Sequence, residues 1–166
     1  MVFLCILSIA FDDYWDSREN VRFHMIRKFK QDDLSLIMQI WLASNIEAHS
    51  FIPEKYWIDN FEFVKKMLPQ AEIYVHENEA TKQIDGFIGL NEDYIEGLFV
   101  EKNMRSKGIG KQLLDYVKKT KTKLSLSVYQ KNFKAISFYK REHFVVKSEN
   151  IDNDTNEKDF FMVWHK

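Results

Sequence analysis

From residue 25 onward the apolar positions alternate between a two-residue and a 3.6-residue rhythm, and the switches mark the elements. Residues 25–30, MIRKFK, predict a short strand. Gln31, Asp32 and Asp33 supply a helix start with acids in its first turn, and Leu34, Ile37, Met38, Trp41 and Leu42 follow at helical spacing. Residues 44–51 are polar and aromatic, and Pro53 stands where it suits the first position of a helix. Tyr56, Trp57, Phe61, Val64 and Met67 carry that second helix toward Pro69. Residues 72–76 and 84–90 predict two strands joined by the polar turn 77–82, and residues 94–100 a third strand. Residues 111–118 return to helical spacing, 123–129 alternate cleanly as a strand, and 132–141 form a short helix. Residues 144–147 and 160–164 are the last two strands. The order β-α-α-β-β-β-α-β-α-β-β predicts a mixed α/β (α+β) layer covered by helices.

A chain of 166 residues fits one domain, expected at residues 25–166. Residues 1–10, MVFLCILSIA, are apolar but lack the positive start of a signal peptide, and they are shorter than the roughly 20 residues a membrane span needs. The sequence from Met25 looks like a fresh start. Residues 1–24 are therefore expected to be an upstream extension outside the fold, from a misassigned start. An element added to the domain's edge, or a membrane anchor through residues 1–11, are the alternatives. The net charge of −1 argues against a nucleic-acid partner. Cys5, the single cysteine, excludes an internal disulfide and a cysteine zinc cluster and fits a reducing, cytoplasmic setting. The five histidines, at 24, 49, 76, 143 and 165, have no metal-ligand spacing, so no metal is expected.

The most informative stretch is residues 98–118, LFVEKNMRSKGIGKQLLDYVK. The apolar run Leu98, Phe99, Val100 ends a strand. A polar turn follows, and Gly108 and Gly110 flank Ile109 just before the helix. Strand, glycine turn and helix build an anion site: the first N–H groups of a helix lack internal partners, its dipole is positive there, and glycine lets the backbone approach a phosphate. Arg105, Lys107 and Lys111 add charge around the same turn. A Walker loop needs a first glycine where Arg105 stands and a hydroxyl where Gln112 follows Lys111, so that motif fails. A dinucleotide fingerprint needs glycine where Leu113 stands and fails as well. What remains is R-x-x-G-x-G, at Arg105, Gly108 and Gly110.

A second constellation follows the strand LSLSVY. Asn132, Ala135 and Tyr139 fall at i, i+3 and i+7, on one helix face, with Phe138 beside them. Asn132 is also a good helix cap, and Tyr139 a good core aromatic, so each residue alone has a purely structural reading. Taken together, R-x-x-G-x-G after a strand and N-x-x-A-x-x-F-Y one helix and one strand later resemble the two cofactor motifs of the GNAT superfamily of N-acetyltransferases. The resemblance covers about residues 25–166, best over 98–144, and is to small bacterial single-domain members. It implies a mixed, mostly antiparallel central sheet of about six to seven strands flanked by about four helices. One departure stands out: His143 occupies the place where the family commonly has the glycine that ends the tyrosine helix in a left-handed turn.

The resemblance implies direct acetyl transfer from acetyl-CoA to a primary amine. It gives the pyrophosphate and pantetheine arm to Leu98, Phe99, Val100, Arg105, Ser106, Lys107, Gly108, Ile109, Gly110 and Lys111, with Asn132, Ala135 and Phe138 flanking the arm. Tyr139 matches the family's usual general acid for the leaving thiolate. A strand end near Leu98 offers an N–H to the carbonyl oxygen. The amine must be neutral to attack, and Glu96, two residues before Leu98 on the same strand face, is the candidate base; an ordinary rim carboxylate is its other reading. In this fold class the acceptor sits against the first helices and the last hairpin. Asn45, Glu47, His49, Phe51, Tyr56 and Trp57 populate the former, and Glu149, Asp152, Asp154, Glu157 and Asp159 the latter. Acids and aromatics suit a cationic amine, either a small molecule or a protein lysine. A non-catalytic acyl-CoA-binding regulatory module of the same fold is the competing reading, and a nucleotide hydrolase a weaker third. A monomer and a homodimer are equally compatible with the sequence.

Overall fold

The computed structural model describes residues 24–78 and 81–166. The proposed extension, the anchor alternative and Cys5 lie outside the described residues. Seven strands form one sheet in the order β1-β2-β3-β4-β5-β7-β6. These are β1 His24–Lys28, β2 Glu72–Asn78, β3 Ile84–Asn91, β4 Tyr94–Val100, β5 Lys123–Tyr129, β6 Val145–Ile151 and β7 Lys158–His165. Four α-helices cover it: α1 Leu34–Ala48, α2 Glu54–Met67, α3 Ile109–Lys118 and α4 Phe133–Arg141. Every neighbouring pair is antiparallel except β4 with β5. Among the described residues, no helix is long and apolar enough to cross a membrane.

Alternation along the strands divides the core into two clusters. On one face Leu98, Val100, Leu126 and Val128 meet Leu113, Leu114 and Val117 of α3 and Ala135, Phe138 and Tyr139 of α4. On the other, Phe87, Phe99 and Tyr129 meet Trp41 of α1 and Trp57 and Val64 of α2. The first helix runs further than its apolar rhythm, through Ser44 and Asn45 to Ala48. These polar residues keep the buried face because Asn45 donates from Nδ2 to the Trp41 carbonyl at 2.8 Å, so polarity is satisfied without breaking the helix. Pro53 caps α2 from just outside, with φ −55° and ψ 134°.

The end of α4 settles where the tyrosine helix stops. His143 has φ +67°, and its N–H donates to Lys140 O at 3.1 Å while Phe144 N–H donates to Tyr139 O at 2.9 Å. The left-handed residue therefore stays where a glycine would be, and Tyr139 keeps its place in the last helical turns. Left-handed backbone costs an L-residue roughly 1–2 kcal/mol. His143→Gly is accordingly expected to raise stability by about 1 kcal/mol, part of the gain being lost to the freer unfolded chain. In a thermal melt that is a rise of roughly 2–4 °C for a chain of this size. A fall would mean that the imidazole makes contacts worth more than the strain.

Candidate active site

The sheet is two antiparallel halves joined parallel at a single residue pair, Tyr94 with Ser125. Ser125 N–H donates to Asp93 O at 2.9 Å just beside it. Beyond that point β4 and β5 share no ladder pair and diverge, leaving a wedge between Leu98–Val100 on one side and the end of β5 on the other. A bulge in β4 contributes to the divergence. Gly89 pairs with Gly97 and Leu90 with Ile95, so Glu96 is an extra residue that bends and twists the strand. Glu101 N–H donates to Asp85 O at 2.7 Å. Antiparallel alternation then sends the amide of Phe99 to β3 as well and turns those of Leu98 and Val100 toward the wedge. The Leu98 N–H is thus a backbone donor directed into the wedge.

The bulge also corrects the sequence reading of Glu96. Strict alternation puts it on the face of Leu98, but the extra residue shifts the parity. Ile95 and Leu98 share the α3/α4 core, while Glu96 lines a cavity of about 460 Å³ on the opposite face, with Gly97, Phe99, Phe87, Trp41 and Leu68. A Cβ at Gly97 would run into the Phe99 ring, which would have to shift to admit one. Burial pushes the Glu96 carboxyl above its usual range, against a partly offsetting hydrogen bond with Asn91.

At the end of β4 the chain turns through Lys102–Met104 into α3. Ser106 has φ +62°, and Gly108 caps the helix at φ +79°, ψ 0°. The first internal bond of α3 runs from Gln112 N–H to Gly108 O at 2.9 Å. The N–H groups of Ile109, Gly110 and Lys111 therefore have no acceptor within the helix, and they sit at its positive end. The three basic side chains are largely committed to holding the turn. Arg105 donates from Nε to Val100 O at 3.1 Å, and its Nη1 lies 2.9 Å from Glu47 of α1, with the Arg105 side chain only 6% exposed. Burial pushes the Glu47 carboxyl up, but the Arg105 bond and the charges of Arg105 and Lys102 more than offset it, leaving it below its usual value. Lys107 Nζ donates to Asn103 O at 2.9 Å. Lys111 reaches Asp115 at 2.9 Å and Glu142 at 3.4 Å. The cradle for an anion is thus mainly backbone, with the cations bracing it.

One element further on, Asn132 caps α4: its Oδ1 accepts the Ala135 N–H at 3.1 Å. Ala135 and Tyr139 are fully buried and Phe138 nearly so. Tyr139 packs edge-on against Phe138 at 5.1 Å and Phe144 at 5.3 Å. It shares a cluster with Leu98, Val100 and Val128, the side chains that flank the wedge. The structure therefore gathers the glycine turn, the β4 end and α4 on one face, and leaves Glu96 on the other.

Of the expected acceptor-side residues, some converge and some do not. Phe51 and Trp57 surround His49, and Tyr129 closes the group from β5. Tyr129 donates from its hydroxyl to Asp152 at 2.6 Å, beside Thr155 at 3.1 Å; burial and the Asp152 bond push its pKa well up. Tyr56 stands near Asp152 and Asp154, and burial together with their charges pushes its pKa up to about 12. Asn45 and Glu47 turn elsewhere, as described. Glu149 binds Gln130 at 3.2 Å and Glu157 binds Lys131 at 2.7 Å. The Tyr129–Asp152 and His49–Asn132 pairs were not visible in the sequence. They join residues 23 and 83 positions apart, and no local spacing announces them.

Comparison with known proteins agrees with this geometry. Residues 69–146 match the model of the acetyltransferase (GNAT) domain. The chain is 32% identical over 142 residues to the peptidyl-lysine N-acetyltransferase YiaC of Escherichia coli strain K12, covering 84% of this chain and 96% of that protein. It is 26% identical over 129 residues to the peptidyl-lysine N-acetyltransferase YjaB of the same strain, covering 78% and 87%. The solution structure of apo YjaB from E. coli superposes with a TM-score of 0.76, covering 85% of this chain and 97% of that one. The PaiA N-acetyltransferase from Thermoplasma acidophilum, in complex with coenzyme A, superposes with a TM-score of 0.72 at 22% identity, covering 86% and 99%.

Proposed function

The chain belongs to the GNAT family and is an acetyl-CoA-dependent N-acetyltransferase, and we propose that it acetylates protein lysine side chains by direct transfer across the β4–β5 wedge, with Tyr139 as general acid. The observation that carries this reading is the wedge itself. It is a gap in the sheet with a backbone anion cradle and Tyr139 on one face, and aromatic and acidic side chains on the other. Attack on a thioester carbonyl brings the amine in from one side while the thiolate leaves on the other, and the two faces supply those two sides.

In this reading the pyrophosphate sits on the N–H groups of Ile109, Gly110 and Lys111. The arm lies along Leu98–Val100, past Asn132, Ala135 and Phe138. Acetyl-CoA supplies the activated acyl group. The Leu98 N–H stabilises the carbonyl oxygen as charge develops there. The proton from Tyr139 meets the departing sulfur, whose free thiol has a pKa of about 8.5. No acyl-enzyme on cysteine is needed, and Cys5, the chain's one cysteine, lies outside residues 25–166. We propose residues 25–166 as the catalytic unit.

For the acceptor, Tyr56 and Asp154 offer a ring and a carboxylate that suit an ammonium group, backed by the buried Trp57 and Asp152. Two relatives named as peptidyl-lysine acetyltransferases favour a protein lysine over a free amine. The test is acetyl-CoA with a single-lysine peptide, the same peptide with its lysine blocked, and spermidine, read by thiol release and mass spectrometry. Turnover confined to the unblocked peptide is expected. Turnover with spermidine alone would move the acceptor to small polyamines, and binding without turnover on any amine would favour the regulatory module.

Glu96 is proposed as the base that takes the amine proton, directly or through water. A carboxylate works as a base only when ionised, so the wild-type rate should fall as pH drops through the raised Glu96 pKa. Above about pH 10.4 a lysine ammonium gives up its proton unaided. Glu96→Gln should therefore lower kcat/KM most between those limits and converge on wild type at both ends, by roughly 10²-fold at the maximum. A pH–rate profile identical to wild type would remove Glu96 from the mechanism.

A further inference from the structure

His49 follows the last residue of α1 and is wholly buried among rings. Its imidazole stacks on Trp57 at 5.3 Å and lies edge-on to Tyr129 at 5.0 Å and Phe51 at 5.5 Å. Such a site would accept a phenylalanine on packing grounds. Its polar contacts set it apart. Nε2 lies 3.4 Å from Nδ2 of Asn132. The direction of that contact is fixed from the other end. Asn132 Oδ1 accepts the Ala135 N–H at 3.1 Å, so the amide presents its NH2 group, a pure donor, to His49. Nε2 must accept, and the neutral ring carries its proton on Nδ1. Burial keeps the ring neutral, with its pKa held down to about 3. The Nδ1 atom has no hydrogen-bond partner among the described residues. A buried N–H without an acceptor is costly, and an aromatic site filled only for packing has no need to bear that cost.

We propose that His49 is a positioning residue for the acetyl-CoA arm: by accepting from Asn132 Nδ2 while Asn132 Oδ1 takes the Ala135 N–H, it braces the cap of α4 against rotation, and so ties the end of α1 to the cofactor side of the wedge. This rests on the role proposed above for Asn132. The orientation matters because Asn132 is the N-cap of the helix that carries Tyr139. An Asn132 amide free to rotate would lose the cap, and with it the fixed start of the helix that flanks the arm. The link also makes one rigid path between the two faces of the site. Phe51 and Trp57, on the acceptor side, pack directly on the ring that orients Asn132.

The test compares His49→Gln, His49→Asn and His49→Leu with Asn132→Ala and the double variant His49→Leu/Asn132→Ala, reading the Kd for acetyl-CoA by calorimetry and the melting temperature. A glutamine oxygen falls near the place of Nε2, whereas an asparagine reaches only the place of Nδ1. The two amides are alike in polarity, so a difference between them reports position rather than general disturbance of the box. His49→Leu and His49→Asn are expected to weaken acetyl-CoA binding about five- to tenfold, the worth of one hydrogen bond. His49→Gln is expected to stay within about twofold of wild type, as an oxygen acceptor replaces the nitrogen. In the Asn132→Ala background, His49→Leu should add nothing. Equal Kd values for the Gln and Asn variants, or additive losses in the double variant, would overturn the proposal and leave His49 as packing. An unchanged Kd in Asn132→Ala itself would remove Asn132 from the arm, and with it the ground for the inference.

Discussion

Gly108→Asp is expected to abolish acetyl-CoA binding while leaving the chain folded. The wild type at 100 times its Kd should gain about 2.7 kcal/mol, a rise of roughly 5–10 °C in melting temperature for a chain of this size. In the variant that rise should vanish. The effect is large because two causes act at one atom. The backbone at Gly108 has φ +79°, which aspartate tolerates better than most residues, at a strain within the roughly 1–2 kcal/mol range. A Cβ there meets nothing nearer than the end of the Gln112 side chain, at 3.7 Å, so the fold survives. The added carboxylate, however, stands at the mouth of the cradle formed by the Ile109, Gly110 and Lys111 N–H groups, where the pyrophosphate carries its own negative charge. Repulsion at about 4 Å costs roughly 4 kcal/mol in a partly shielded setting, enough to offset the whole binding gain. Gly108→Ala separates the causes, since it adds the strain without the charge and should keep a reduced shift. A full ligand shift in Gly108→Asp would place the cofactor elsewhere.

The glycine turn and α4 could be read in the sequence because both rest on local rules. A left-handed cap wants glycine, a helix start wants Asn132 with its side chain on Ala135, and i, i+3, i+7 spacing fixes a face. The order of elements along the chain also followed from rhythm, whereas the order of strands in the sheet, with β7 between β5 and β6, is set by pairing that rhythm does not state. What stayed hidden depends on pairing between distant segments. The β4 bulge exists only in the register with β3, where Gly89 meets Gly97 and Leu90 meets Ile95; nothing in YIEGLFV states that Glu96 is supernumerary. That one residue reverses the face of the candidate base, and placing it on the opposite side from Tyr139 makes better chemical sense than the alternation did. Arg105 is a similar case. Its place in R-x-x-G-x-G marks it as a phosphate ligand, yet Glu47, 58 positions earlier, draws its guanidinium inward. A motif fixes which residues gather at a turn, but their side chains answer to neighbours that the motif does not contain.

Tyr139→Phe carries the second large expectation, a fall in kcat of about 10²-fold with the acetyl-CoA Kd nearly unchanged. The substitution removes one oxygen and keeps the ring that packs edge-on against Phe138 and Phe144. Because Tyr139 is wholly buried, a phenylalanine fills the same volume, and the helix end at His143 that fixes its height is untouched. Any loss of rate is then a loss of the hydroxyl. The size of the loss follows from the leaving group. A thiolate is a fair leaving group without help, since its conjugate thiol has a pKa near 8.5. A proton donor therefore speeds the step without being indispensable, which is why the expected factor is modest compared with the loss of a nucleophile. Glu96→Gln and Tyr139→Phe act on opposite faces and on different protons, so their effects on kcat should multiply in the double variant. If Tyr139→Phe kept kcat within about twofold of wild type, well short of what a general acid contributes, the thiolate would be taking its proton from water and Tyr139 would be only the aromatic wall of the wedge.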